Sequence, residues 1–255
     1  MPDRLCSIQS KEQGLAVVSV SGSLSVPKRQ LLEALQRQIA ALGGNSEIRG
    51  IILTGPVEGF CRCFTERDSV PYDAAALAGF GQQVMYSLER IGKPCIAVIA
   101  GECSGLGLEL ALACDFIAAS EEATFGFPGI AEGFIPCCGG TQRLARLVGK
   151  SKAKEMIYSG EMIDAGEALR TRLVNRLYSA EELLPKAREL LAHICSRSPN
   201  AIRIGGEVVN AGYDIDLQTA CLLERDAFAL CFSSFDQREG MQTFLDKRQP
   251  HFKGE

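Results

Sequence analysis

The sequence predicts an α/β fold built on a parallel sheet that is buried on both faces. Three observations predict it. Short apolar stretches at residues 15–21, 50–54, 95–99 and 116–119 lack the alternation of a half-exposed strand. Stretches of helical period separate them. Glycine and proline punctuate the joins.

In chain order, residues 15–21 are β-branched and apolar between Gly14 and Gly22, and read as a strand. Pro27 fits the first turn of a helix, where its missing N–H costs no hydrogen bond. Leu31, Leu35, Ile39 and Leu42 follow at helical spacing, and Gly43-Gly44 stops them. Residues 50–54 form the next strand. Leu77, Phe80, Val84, Leu88 and Ile91 mark the apolar face of a second helix, closed by Lys93-Pro94, and residues 95–99 are a third strand. A glycine-rich turn at 101–107 leads into a helix at about 108–113, and residues 116–119 return to strand. From Gly139 onward the pattern is mostly helical. Leu183, Leu184, Ala187, Leu190, Leu191 and Ile194 form one stripe, and Leu217, Leu222, Phe228 and Leu230 mark a later helix. The balance passes from β/α units to helices near residue 195. The expected division is therefore a core at 1–195 and a helical region at 196–255.

The chain has 255 residues, 46% hydrophobic and 23% charged, enough for one large core. Its net charge of −4 advertises no basic face for nucleic acid. No apolar run reaches the ~18–20 residues that span a bilayer. Asp3, Arg4, Lys11 and Glu12 interrupt the first 14 residues, which have no apolar segment of signal-peptide type. The expectation is a cytoplasmic protein without a membrane partner. Eleven cysteines, an odd number, are scattered through apolar segments around Cys114, Cys195, Cys221 and Cys231. They read as buried, reduced thiols. Cys61-x-Cys63 and Cys137-Cys138 lack zinc-ligand spacing, the only histidines are His193 and His251, and no metal is expected.

The chemistry concentrates in the turn at 100–110, which admits three readings. As a dinucleotide fingerprint it fails, because Leu110 stands where a third glycine is needed; likewise Leu144 spoils a phosphate loop before Gly149-Lys150-Ser151. As a nucleophile elbow, Gly101-Glu102-Cys103-Ser104-Gly105 would present Cys103 in an α/β-hydrolase-like site. That needs a histidine, yet His193 falls within a helical stripe and His251 in a polar tail. In the third reading the N–H of Leu106 opens a helix and can hold a developing enolate oxygen. Glu109, three residues on, faces the same side and can move a proton at the adjacent carbon. A solvated helix glutamate is the plain alternative. Against it, Leu108, Leu110, Ala111 and Leu112 make the helix look buried, and a buried glutamate needs a reason.

At this point the sequence resembles a known family along nearly its whole length. The matching pieces are LTG at 53–55, GFC at 59–61, KPCIAVIAG at 93–101, GLGLELALACD at 105–115 and FGFPGI at 125–130. They continue with IPCCGGTQRLARLVGKSKAKEMIYSGE at 135–161, LVNRLYSAEELLPKA at 173–187 and REGMQTFLDKRQPHFKG at 238–254. On these the chain resembles the enoyl-CoA hydratase/isomerase (crotonase) family. The resemblance implies an α/β fold with a crotonase-like ββα superhelical core and a C-terminal helical trimerisation region. It implies an acyl-CoA thioester as substrate, no further cofactor, and a homotrimer or hexamer. Carried over residue by residue, the oxyanion amides fall at Phe64 and Leu106, and a catalytic glutamate at Glu109. Phe252 and Lys253 match the segment that closes over the CoA adenine.

Departures from the family pattern are as informative. Gly129, in Pro128-Gly129-Ile130, replaces a second glutamate. The loop that usually carries small residues and an aspartate reads Cys61-Arg62-Cys63-Phe64-Thr65, Leu106 replaces a glycine, and the early CoA-holding segment is shortened at residues 20–27. Two-carboxylate hydration is thereby impaired, since one general acid/base is worth ~10²–10⁴ in rate. Glu132, or Cys137 where some members place an aspartate, are candidate substitutes. The single carboxylate suits a double-bond shift or decarboxylation at least as well as hydration. A non-catalytic acyl-CoA-binding subunit is the competing expectation.

Overall fold

A computed structural model describes residues 5–21, 27–56, 58–61 and 71–255. Two strands open the chain, β1 (Cys6–Glu12) and β2 (Leu15–Val20), paired antiparallel. The turn between them places Gln13 and Gly14 at φ 52° and 77°, a left-handed pair that suits a two-residue hairpin. Then come α1 (Lys28–Gly43), β3 (Gly50–Thr54), α2 (Pro71–Glu89), β4 (Cys95–Ile99), β5 (Glu102–Ser104) and α3 (Leu106–Ala111). Next are β6 (Phe116–Ser120), β7 (Thr124–Gly126), a 3-10 turn (Pro128–Glu132), α4 (Gly140–Val148) and α5 (Lys150–Ser159). β8 (Ile163–Asp164), α6 (Ala165–Arg170), β9 (Arg176–Tyr178) and α7 (Ala180–Cys195) follow, and α8 (Pro199–Gly212), α9 (Leu217–Cys231) and α10 (Phe235–Asp246) end the chain.

The main sheet has the order β1-β2-β3-β4-β6-β9 and is parallel except at the β1 edge. β2 and β4 are buried at every position, as the apolar stretches predict. Alternate residues serve opposite faces. Leu15, Val17, Ile52, Ile96, Val98 and Ala118 pack against Leu183, Ala187, Leu191 and Cys195 of α7. Ala16, Val18, Ile51, Leu53, Ala97 and Ile99 face the larger core formed with α1 to α6. A second sheet, β5-β7-β8, in which β5 follows β4 and β7 follows β6 along the chain, contributes Glu102 and Ser104 to the site.

Several elements differ from the sequence expectation. β1 is a polar edge strand, CSIQSKE, with no apolar signature. Residues 102–104 are a strand, paired with β7, where the glycines suggested only a turn. α3 starts at Leu106, two residues before the expected start, because Gly105 at φ 54° completes the bend. α2 ends at Glu89, and Gly92 at φ 73° turns the chain before Lys93-Pro94 does. β7, β8 and β9 span two or three residues each, too short for periodicity to register.

The described cysteines are free. Cys6, Cys61, Cys95, Cys103, Cys138 and Cys195 are buried, but Cys221 is exposed, contrary to expectation. The reason is that α9 buries none of its residues, and Leu217 and Phe228 are 80% and 65% exposed. The C-terminal tail folds back onto α10: buried Asp236 accepts from Ser198 Oγ at 2.6 Å and from the Lys253 amide at 2.7 Å. Among the described residues no helix is long and apolar enough to cross a membrane.

All six residues of α3 are buried, so this short helix is held by packing rather than by helix propensity. Leu108→Ala, at a fully buried position, should cost about 2–5 kcal/mol in urea unfolding, the usual range for a core leucine truncation. A loss below 1 kcal/mol would contradict the burial of α3.

Candidate active site

The site begins where β5 turns into α3. The Gly105 amide bonds the Gly126 carbonyl at 3.2 Å, tying the turn to β7. At Gly107 a Cβ would lie 2.2 Å from the Phe60 carbonyl oxygen, so only glycine lets that backbone approach. The Phe60 amide donates to the Glu102 carbonyl at 2.7 Å. The chain leading toward Phe64 is thus docked on the start of α3. Phe64 itself lies outside the described residues, as do Arg62, Cys63 and Thr65. Leu106 occupies the first helical position, where an N–H has no intrahelical acceptor, and its side chain is buried.

Glu109 is buried to 1% exposure. Its Oε1 accepts from the Cys138 amide at 2.6 Å and the Gly140 amide at 2.9 Å. Gly140 is the first residue of α4, so the carboxylate rests on the N-terminus of a second helix. A Cβ at Gly140 would come within 2.8 Å of Glu109 Cγ, which explains glycine there. Burial pushes the Glu109 carboxyl up to about 7, assisted by the neighbouring Cys137, while the two amides and Lys28 pull it down. Arg143 fixes the same backbone from behind. Its guanidinium forks onto Glu89 at 2.6 and 2.9 Å and donates to the Cys138 carbonyl at 3.1 Å.

A pocket of about 260 Å³ opens beside Glu109, lined among others by Lys28, Leu106, Gly129, Glu132 and Phe134. Glu109 and Gly129 therefore line one cavity. At Gly129 the nearest atoms to an added Cβ are 3.9 Å away on Phe134, so a side chain fits. Glu132, exposed, ends the same 3-10 turn. Cys137 is half-buried; Lys28 Nζ donates to its sulfur at 3.5 Å, and Cys138 Sγ lies 3.7 Å from it.

The other sequence candidates lie elsewhere. Cys103 is fully buried within β5, and burial, then Glu102, pushes its thiol well above the usual range. It is a core side chain, and neither histidine lines the pocket: His193 is on exposed α7 surface and the His251 amide bonds Glu239. The nucleophile-elbow reading therefore lacks its geometry. Phe252 and Lys253 pack on α10, the Lys253 ammonium 4.7 Å above the Phe235 ring, and do not line the Glu109 pocket. Sequence reasoning missed Lys28 and the Cys138 and Gly140 amides. The one available signal for the amides was Gly139-Gly140 opening a helix.

Comparison with known proteins gives a consistent result. The family model described as Enoyl-CoA hydratase/isomerase matches residues 26–255. A crotonyl-CoA hydratase of Syntrophomonas wolfei is 36% identical over 252 residues, 96% of each chain. A short-chain-enoyl-CoA hydratase of Clostridium acetobutylicum is 35% identical, with 95% of each chain covered. The crystal structure of an enoyl-CoA hydratase from Bacillus anthracis superposes with a TM-score of 0.89 at 33% identity, over 98% of this chain and 100% of that one.

Burying Glu109 carries a stability cost with a definite sign. Because its folded pKa is raised to about 7 from 4.5, folding takes up a proton, and the stability lent by that proton is lost as pH rises through 7. Glu109→Gln removes the titration. The variant should be more stable than wild type above pH 7, by up to roughly 3 kcal/mol, with the gap closing toward pH 4.5. Urea unfolding of both proteins across that range measures it; a gap independent of pH would contradict the assignment.

Proposed function

This chain belongs to the enoyl-CoA hydratase/isomerase family, and on that premise we propose that it moves protons at the α-carbon of an acyl-CoA thioester through an enolate. The observation that carries the proposal is Glu109, buried on two amides and lining a pocket together with Leu106. In this reading the Leu106 N–H donates to the thioester oxygen, and the Phe64 N–H is the second donor. Charge that develops on that oxygen meets fixed dipoles that need no reorganisation. A carboxyl titrating near neutrality can both take and return a proton, the condition for efficient general acid/base work.

Hydration needs a second group to handle water at the β-carbon. Gly129 cannot supply one. Besides Glu109, the pocket lining holds Glu102, which accepts from Ser104 Oγ, and Glu132. Glu132 and Cys137, whose sulfur lies within 4.8 Å of a Glu109 carboxylate oxygen, are the candidates. The chemistry that Glu109 supports alone is a proton shift next to the carbonyl, with hydration as a slower outcome. Residues 196–255 supply the contacts of a trimer or hexamer. Phe252 and Lys253, which do not line the Glu109 pocket of their own chain, then serve CoA held by a neighbouring copy.

On crotonyl-CoA, followed by loss of the conjugated-thioester absorbance, Glu109→Gln should lower turnover by ~10²–10⁴. Gly129→Glu, which restores a carboxylate where space allows, should raise hydration by up to ~10²-fold. Unchanged turnover in Glu109→Gln would refute its role.

Val209, Leu217, Phe228, Leu230 and Phe244 are each more than half exposed, an apolar surface of the kind that marks an interface. Light scattering at micromolar concentration should therefore return a trimer or hexamer, and Leu217→Asp combined with Phe228→Asp should dissociate it. A monomeric wild type would contradict this.

A further inference from the structure

Beside the Glu109 pocket sits an unusual thiol arrangement. Side chains of consecutive residues commonly diverge, yet Cys137 Sγ and Cys138 Sγ are 3.7 Å apart. Both sulfurs and a Glu109 carboxylate oxygen lie within 4.8 Å of one another. Lys28, the first residue of α1, brings its ammonium to 3.5 Å from the Cys137 sulfur. Lys28, Glu109 and Pro136, the residue before Cys137, all line the pocket.

The two sulfurs are not equivalent. Cys138 is fully buried against Gly81, where an added Cβ would lie 2.3 Å from its sulfur. Its thiol is pushed far up, first by the contact with Cys137 and then by burial, which favours its protonated form. Cys137 is half-buried, with the Cys138 sulfur at 3.7 Å and the Lys28 ammonium donating to it at 3.5 Å. Its thiol is pulled down to about 6, the Cys138 hydrogen bond outweighing burial and Lys28 adding to it. Depressed thiols beside a cation are the reactive ones.

We propose that Cys137 is a nucleophilic thiolate that adds to the β-carbon of an α,β-unsaturated acyl-CoA bound beside Glu109. This rests on the acyl-CoA reading above and goes beyond proton transfer. The sulfur lone pair forms the S–Cβ bond, and the C=C π pair moves onto the thioester as an enolate. Protonated Glu109 delivers a proton to the α-carbon. Glu109 regains one from solvent, which balances the proton the Cys137 thiol gave up. Nothing leaves, and no oxidant or second reactant is needed. The product is a thioether that still carries CoA.

The protein incubated with crotonyl-CoA should gain the mass of one crotonyl-CoA per chain, mapped to Cys137. Hydroxylamine should remove the CoA but leave the carbon chain on Cys137. Saturated butyryl-CoA should raise the melting temperature without any adduct. Cys137→Ser should abolish the adduct, and Lys28→Met, which keeps the thiol, should slow its formation several-fold. Independently of any acyl-CoA, iodoacetamide at about pH 6 should alkylate Cys137 about tenfold faster than a cysteine model peptide, thiolate fraction outweighing lower intrinsic nucleophilicity. An alkylation rate no higher than the peptide's overturns the proposal. So does the absence of adduct while butyryl-CoA stabilises the protein, an outcome that leaves the proton-transfer reading standing. Absence of stabilisation by butyryl-CoA removes both.

Discussion

The site depends on one contact, the Glu109 carboxylate resting on the amides of Cys138 and Gly140. It joins α3, which follows the edge of the small sheet, to the N-terminus of α4. Everything nearby accommodates it. Gly140 has no side chain because Glu109 Cγ, Phe127 and Pro136 occupy its space. Arg143, anchored by Glu89 and lying 5.2 Å over the Tyr86 ring, holds the Cys138 peptide by its carbonyl. Gly107 lets the Phe60 backbone meet the same helix start from the other side.

That contact is a balance rather than a simple attraction. Desolvation favours the neutral acid; two amides at a helix start and the Lys28 ammonium favour the anion. The result is a carboxyl poised near neutrality, which neither a solvated glutamate nor a tightly paired one would be. Poise is useful only next to a place where charge develops, and in the proposed reaction that place is beside the first-turn amide of Leu106, which lines the same pocket. In the proposed reaction the family relationship implies the thioester, and the local physics supplies the reason why this glutamate can act on it.

Much of this was legible in the sequence, and the boundary follows physical lines. Strands β2, β3 and β4 were readable because parallel strands buried on both faces are continuously apolar. α7 was readable because Leu183, Ala187 and Leu191 keep helical period. Edge strand β1 and the two- or three-residue strands were not, since neither composition nor period marks them. Glu109 stood out as a charge in an apolar helix. Its partners did not, because backbone amides have no sequence signature beyond the glycines that permit them. The Lys28–Cys137 contact joins residues 109 positions apart, and only the fold brings them together. Cys103 shows the converse: its glycine-flanked context suggested a nucleophile elbow as one alternative, while its burial, which bears out the plainer core reading, is set by the whole fold.

The central claim is that Glu109 exchanges a proton at the α-carbon of a bound thioester. Butyryl-CoA in deuterated water isolates that step, since a saturated chain offers nothing to hydrate or alkylate. Followed by proton NMR, the α-hydrogens should exchange for deuterium in the presence of the wild-type protein and should not with Glu109→Gln. Exchange that persists in the variant, or that fails in a wild type shown to bind butyryl-CoA, would contradict the account.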